Sequence, residues 1–466
     1  RSSGGDVYMP RESYQVGKAL VFPAFGWQSG MVTGVRPGQN PDLGSFQVIQ
    51  VKLADNQIKE LAANLPDHVL NQPPDFSDED PALNYEAVVA EYRDNLLDSL
   101  EEDLQTDGDF VLIAGKWFPR ALVVDINAGH LNLAEAILDM SGGGPLPTSA
   151  LLEQVGLGGD PNSKLVEFSL DLALQEDPRF DEVGPAGEVL WYLNRLEPES
   201  VLQIPPYLRY TELEYDRSIL TPDMLSLERK LDDELSPYSG KAPQVNEAQV
   251  TLTFPHWRSG TLPISATIRP LLPTAYQAPR VRFYLVDGEN GSKFPGWVVR
   301  QHRYVFGLAE WYHTRGVMPG SLVRLRRGKN PGEVIVSCDS QRGTREWVRT
   351  VLVGSDGGIV FALLKQVVTT SYDERMAIVI PDPEALEQAW KLQQKERQPF
   401  EKVVVNVVRE LAKLNPQSHV HASELYAALN VIRRCPPGPM LALLASRPWF
   451  IHVGDLHFRF DDSERA

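Results

Sequence analysis

Residues 279–350 read PRVRFYLVDGENGSKFPGWVVRQHRYVFGLAEWYHTRGVMPGSLVRLRRGKNPGEVIVSCDSQRGTREWVRT. The stretch holds thirteen Lys and Arg against six Asp and Glu, inside a chain whose formal charge is −17. VRFYLVD and KFPGWVV flank the turn residues GENGS, and SLVRLRR and EVIVSC flank Gly328 to Gly332, so two β-hairpins are expected. Between them YVFGLAEWYHTRG predicts a short helix ended by Gly316. Period-two alternation puts Arg324 and Arg326 on one face of a strand. Arg327 and Lys329 follow at the turn, and Arg300 and Arg303 flank another strand end. A compact basic β module in an acidic chain predicts contact with phosphate, which needs Arg and Lys on one open face. A solvated sheet surface and an acidic protein partner are the other readings of the same six residues. Trp297, Tyr304, Trp311 and Tyr312 are interleaved with the cations. Ring stacking on bases is one use for Trp297, Trp311 and Tyr312, and packing in a barrel core is the commoner one.

Working outward, the 466 residues suggest three or four domains, with a hydrophobic content of 42% that is enough for several cores. No apolar run approaches the roughly eighteen residues of a membrane span, and no charged-then-apolar leader opens the chain at Arg1. The two cysteines, Cys338 and Cys435, point to a reducing, cytoplasmic setting and away from a disulfide framework or a cysteine zinc site. Residues 72–250 carry 36 acidic against 11 basic side chains. The net charge argues against indiscriminate DNA binding, and this acidic half is expected as a solvated surface or a protein-docking surface.

The expected fold is multi-domain α+β. Residues 10–71 read as a small barrel of short strands with a turn at Asp55-Asn56, and 72–81 as a linker. Residues 82–195 begin with an amphipathic helix over 84–104, then extended chain over 110–126. HLNLAEAILDM (130–140) is a helix stopped by Gly142 to Gly144, Thr148 or Ser149 caps a second, and Asn162 caps a third. A hairpin around GPAG follows. Residues 196–247 read as an acidic linker with a short helix from Thr221-Pro222. The basic β module runs over 248–382, opening with strands AQVTLTF and LPISATIRPLL, and leaves 359–368 open between strand and helix. Residues 383–399 are a polar connector helix. Residues 400–462 repeat the earlier plan: a helix, a second capped by Ser423, a third over 437–446, and a hairpin at Gly454-Asp455. PRFDEVG (178–184) matches PWFIHVG (448–454), so two copies of one helix–helix–helix–wing unit bracket the β module.

Three resemblances follow from these motifs. VGKALVFPAFGWQSGMVTGV resembles the SH3-like barrels of transcription- and chromatin-associated proteins. HVHASELYAALNVIRRCPPGPMLALLASRPWFIHVGDLHFRF resembles the HARE-HTH winged-helix family, whose members occur in a bacterial RNA polymerase subunit and in restriction-linked and chromatin proteins. The first copy lacks the ELY segment, and its wing is acidic, with Asp181 and Glu182. GSKFPGWVV, RYVFGLAEWYHTRG and MPGSLVRLRRG are similar to the DNA-binding pseudobarrel of plant auxin-response factors and some restriction endonucleases. That resemblance implies a basic strand face, and no individual base contact.

No catalytic constellation is visible. Walker, GxSxG, HExxH and post-strand GxGxxG motifs are absent, the nine histidines are scattered, and no metal or cofactor is expected. Asp287, Glu289 and Lys293 lie close together as the one nuclease-like set. The expected function is that of a non-catalytic protein binding double-stranded DNA or a DNA-bound assembly such as RNA polymerase. The alternatives are a protein–protein adaptor without nucleic-acid contact and the specificity part of a restriction-modification system.

Overall fold

The structure, a computed structural model, describes residues 6–25, 28–40, 44–53, 57–71, 85–113, 115–157, 163–237, 245–330, 332–355, 357–396 and 398–465. The expected turn at Asp55-Asn56, the 72–81 linker and the Asn162 cap lie outside them. The chain is a mixed α+β protein with several sheets and divides into two compact units, Arg1–Thr106 and Asp107–Ala466.

In the first unit β1 (Asp6–Val7), β2 (Ala19–Phe22), β3 (Gln28–Pro37), β4 (Gln47–Leu53) and β5 (Ile58–Ala63) form one sheet in sequence order, antiparallel except for β1–β2. Alternation along β4 sends Ile49, Val51 and Leu53 into a core with Leu20, Phe22 and Val32, while Gln50 and Lys52 face water. Helix α1 (Tyr85–Thr106) occupies the stretch expected to be helical, with Tyr92, Leu96, Leu97 and Leu100 exposed.

The second unit opens with the hairpin β6 (Phe110–Ile113) and β7 (Lys116–Pro119). Helix α2 (Ala128–Met140) starts two residues before the expected position because the Asn127 side chain accepts from the Gly129 and His130 N–H groups. Gly142, Gly143 and Gly144 then all take positive φ and end it. The short strand β8 (Leu146–Pro147), helices α3 (Thr148–Val155) and α4 (Ser163–Glu176), and strands β9 (Phe180–Glu182) and β10 (Leu190–Leu193) complete the module. Thr148 is not a cap. Its hydroxyl donates to Asp171, 2.5 Å away, and the same carboxylate accepts from Trp191 Nε1 at 2.9 Å. Burial pushes the Asp171 carboxyl up to about 6.

Within 196–247, expected as a linker, the described residues 196–237 are packed. Val201 in α5 (Glu199–Leu202) and Leu208 after it are buried, and Met224 and Leu227 on α6 (Pro222–Leu231) face the C-terminal core. Helix α6 starts at Pro222 as expected, and Thr221 caps it by accepting from Met224 N–H. The chain then builds a curled seven-stranded sheet: β11 (Glu247–Thr251), α7 (Phe254–Ser259), β12 (Thr261–Pro263), β13 (Arg280–Asp287), β14 (Lys293–Val299), β15 (Tyr304–Phe306), α8 (Ala309–Arg315), β16 (Leu322–Arg327) and β17 (Glu333–Cys338). The strand order is β11-β16-β17-β13-β14-β15-β12, with β13–β17 the parallel pair. One face buries Val250, Phe283, Leu285, Val323, Leu325 and Val336 around Trp311 and Tyr312 of α8. The two strands expected over 248–272 are shorter: α7 takes over from the first at Phe254, and the second gives way after Pro263 to a 3-10 turn over Arg269–Leu271.

Strands β18 (Ser340–Val353) and β19 (Ile359–Thr370) form a separate two-stranded ribbon, so 359–368 is strand and not helix. Helix α9 (Pro383–Glu396) leads to α10 (Phe400–Ala412), β20 (Val420–His421), α11 (Ala422–Ile432), α12 (Pro437–Ser446), β21 (Phe450–Gly454) and β22 (His457–Phe460). The internal repeat is visible as topology. Each copy runs helix, short strand, helix, helix, hairpin, and in each the short strand pairs with the second hairpin strand, giving orders β8-β10-β9 and β20-β22-β21. Phe180 and Phe450 are both buried, whereas Val183 is buried in a different cluster from Phe180 and Val453 is exposed, as period two requires of residues three apart. The expected Ser423 cap is corrected. His421 is the cap, its Nδ1 accepting from Ser423 N–H at 3.0 Å, and Glu424 accepts from the His421 N–H. Burial, then the Arg375 charge, pushes the His421 imidazole down to about 4, which keeps that nitrogen an acceptor.

A buried charge cluster ties the 232–234 segment to the last module. Arg434 Nη2 lies 2.8 Å from Asp233 and 2.7 Å from Glu234, its Nη1 donates to Asn430, and the Tyr426 hydroxyl donates to Asp233. His256 Nε2 is 3.2 Å from Glu234. Burial alone raises the Glu234 carboxyl, but the Arg434 and His256 charges hold it well below the usual carboxylate range. Among the described residues no helix is long and apolar enough to cross a membrane.

Candidate nucleic-acid interface

The six expected phosphate contacts do not form one surface. Arg324 and Arg326 do share the outward face of β16, with Val323 and Leu325 on the core face. Arg324, with 36% of its side chain exposed, is already neutralised: Glu247 on β11 lies 3.1 Å from its Nε and Asp339 lies 2.8 Å from its Nη2. Arg327 Nη2 donates to the Pro270 carbonyl at 2.8 Å. Arg326 and Lys329 are exposed and form no ion pair among the described residues. Arg300 and Arg303 lie elsewhere, in the turn between β14 and β15, donating to the carbonyls of Ala278 and Glu234 at 2.9 Å each. The register runs Arg326–Ile335–Val286, whereas Arg300 follows Val299, the partner of Arg280. Strand spacings put the two groups on the order of 25 Å apart. Charge alternation along β16 was legible. Its cross-strand neighbours, which consume Arg324, were not.

The aromatic residues of the sheet are core. Trp297, Tyr304, Trp311 and Tyr312 are all buried, and each of three polar atoms finds a partner: Trp311 Nε1 donates to Asp287 at 3.0 Å, Tyr312 to Thr261 O and Tyr304 to Ser200 O, both at 2.7 Å. Asp287 also receives Arg315 at 2.6 Å, and Lys293 pairs with Glu333. The nuclease-like set is therefore spent on separate partners, Asp287 and Glu289 on Arg315 and Lys293 on Glu333. Among the described residues no group of three His, Cys, Asp or Glu side chains is placed to hold a metal ion.

The two repeated modules differ in what they leave open. In the first, the hairpin docks on the sheet: Arg280 Nε lies 2.8 Å from Asp181 and 3.0 Å from Glu197. Neither Glu197 oxygen accepts a well-aligned hydrogen bond. Burial, then the Asp181 charge, pushes the Glu197 carboxyl up to about 8, and burial pushes Glu182 up to about 7. In the second module α12 is apolar all round and buried from Pro437 to Ala442, with Gly438 packed under the Tyr215 ring. Its third helix carries no charged residue, whereas the hairpin exposes His452, Asp455 and Arg459.

The ribbon offers what the sheet does not. Cross-strand pairs Arg345–Val367, Trp347–Lys365 and Arg349–Leu363 share one face. Trp347 is 65% exposed, Val367 60% and Leu363 42%. The Lys365 ammonium sits 5.4 Å from the Trp347 ring centroid. Arg342, Arg345 and Lys365 are exposed and form no ion pair among the described residues, whereas Arg349, at the inner end, pairs with Glu424 at 2.8 Å. The opposite face packs Val348 and Val368 against Ala377, which fixes the orientation. This surface was not foreseen. The alternation of Arg345, Trp347 and Arg349 was its signal, and it was masked by the ambiguity of 359–368.

Comparison with protein-family models, with curated proteins and with solved structures finds no match to this chain.

Proposed function

We propose that the protein binds double-stranded DNA without catalysing a reaction, alone or as part of a DNA-bound assembly such as transcribing RNA polymerase, in the cytoplasm. The observation that carries the reading is the exposed ribbon face that holds Arg345, Trp347 and Lys365 together, with Glu346 alternating to the opposite face. The major groove of duplex DNA, about 12 Å wide, admits a two-stranded antiparallel ribbon. In this reading the five-stranded N-terminal sheet is an SH3-like barrel, the seven-stranded sheet a pseudobarrel scaffold, and the repeated modules winged helices of HARE-HTH type that hold protein. The interface is moved from Arg300, Arg303 and Arg324 to Arg342, Arg345, Trp347 and Lys365, with Arg326, Arg327 and Lys329 as peripheral charge.

The test is duplex binding by the full chain, read by fluorescence anisotropy in a salt series. Three phosphate contacts give a log–log slope of about −3, hence roughly 40-fold weaker binding between 50 and 200 mM salt. Combined Arg345→Glu and Lys365→Glu lowers affinity at least tenfold, while Arg324→Gln leaves it within twofold. Salt-independent binding, or a double reversal without effect, overturns the proposal. The second reading, a protein adaptor, draws on the neutralised Arg324 and the buried α12. It is favoured if the full chain shows no duplex binding at low salt.

A further inference from the structure

A large open groove of about 1390 Å³ runs between α9, α10, the 206–213 segment and the turn end of β19. It exceeds the roughly 300–1,000 Å³ typical of small-molecule sites, which points to a polymer segment as occupant. Six Lys and Arg line it against a single acid, Glu410, in a chain whose net charge is −17. Three of the six are spent. Arg434 belongs to the buried cluster, Arg409 pairs with Asp462, and Lys391 pairs with Glu387 at 2.7 Å. Glu410 is itself paired with Lys413. That leaves Arg209, Lys395 and Arg433 uncompensated by any carboxylate among the described residues. Arg209 makes one 3.3 Å bond to the Ile204 carbonyl, and Arg433 donates to the Gln398 carbonyl at 3.3 Å.

The lining between these cations mixes apolar side chains, Phe361, Val403, Val407 and Ile432, with neutral side-chain amides, and carries Tyr207 and Trp390 at one side. Aliphatic surface of this kind is poor ground for bases, which need free ring faces. The rings here are occupied. Trp390 packs on Tyr207 with centroids 4.5 Å apart, and the Arg433 guanidinium covers Phe400 at 5.7 Å. The groove therefore matches apolar side chains flanked by carboxylates, not a nucleic-acid strand.

We infer that this groove is a docking site for an acidic peptide segment of another protein, one that carries leucine- or phenylalanine-type anchors between its carboxylates. The inference does not rest on DNA binding by the ribbon.

The experiment uses the full chain and a fluorescein-labelled peptide of about fifteen residues alternating glutamate with leucine and phenylalanine, read by anisotropy. Saturable binding is expected, weakened at least tenfold by combined Arg209→Glu and Lys395→Glu, both exposed positions whose change leaves the melting temperature in place. Combined Arg345→Glu and Lys365→Glu is expected to leave peptide affinity within twofold, which separates this site from the ribbon. A peptide with lysine in place of glutamate is expected not to bind. The inference is overturned by no saturation at millimolar peptide, by equal binding of the lysine peptide, or by indifference to the Arg209 and Lys395 reversals. Displacement by a twenty-nucleotide single-stranded DNA also overturns it, assigning the groove to nucleic acid.

Discussion

Replacing Arg434 by Met tests the buried charge cluster that joins the 232–234 segment to the last module. The Arg434 side chain is 2% exposed and satisfies Asp233 and Glu234 together, with Asn430 as a third partner. Its removal leaves two carboxylates in a site from which water is excluded. Breaking a buried pair by deleting one partner costs roughly 3–5 kcal/mol, far more than the pair contributes over an apolar replacement. For a unit the size of residues 107–466, an unfolding entropy of about 2.1 cal/mol/K per residue converts that to a melting shift of about 4–7 °C. Differential scanning calorimetry of the full chain reads it, and the transition that moves is the larger unit's. The triple change Arg434→Met, Asp233→Asn and Glu234→Gln recovers much of the loss, because no charge is then stranded. A single-variant shift under about 1 °C, with the triple variant no better, refutes the reasoning and means that water reaches the cluster.

Other outcomes follow from the same geometry. Glu197 binds its proton more tightly folded than unfolded, since its carboxyl is raised to about 8, so stability falls as pH rises from about 4.5 to 8; Glu197→Gln flattens that slope in urea titrations. His421 has the opposite sign: its imidazole is depressed to about 4, so stability is lost as pH falls from about 6.5 to 4, and His421→Asn, which keeps a cap oxygen, removes that loss. Gly320 has φ 94°, and an added Cβ would stand 2.4 Å from the Ala377 Cα; Gly320→Ala costs at least about 1–3 kcal/mol in denaturant midpoints.

Local signals were legible where one segment decides its own shape. The GENGS hairpin, helix α8 with Gly316 at φ 62°, the start of α6 at Thr221-Pro222 and the hairpins of the PRFDEVG/PWFIHVG repeat all depend on neighbours within a few residues. What depended on distant partners was not legible. Strand β11 pairs with β16 more than seventy residues later, and that register brings Glu247 onto Arg324 and takes it out of the candidate site. The 196–247 stretch looked loose because it is acidic, proline-bearing and mixed, yet Val201 and Leu208 join one core cluster and Leu220, Met224 and Leu227 another. His421 is the cap instead of Ser423 because the helix begins at Ala422, which puts Ser423 inside its first turn, and a histidine is not a residue type that composition marks as a cap.

Asp233 and Arg434 stand 201 residues apart in the chain yet are bonded in the interior. Dissecting the protein at apparent module borders near 382 or 399 would cut this bond and leave acid in an apolar seam. Fragments made that way should be insoluble or molten even where every secondary element is intact. Activity is therefore best mapped with point variants of the whole polypeptide.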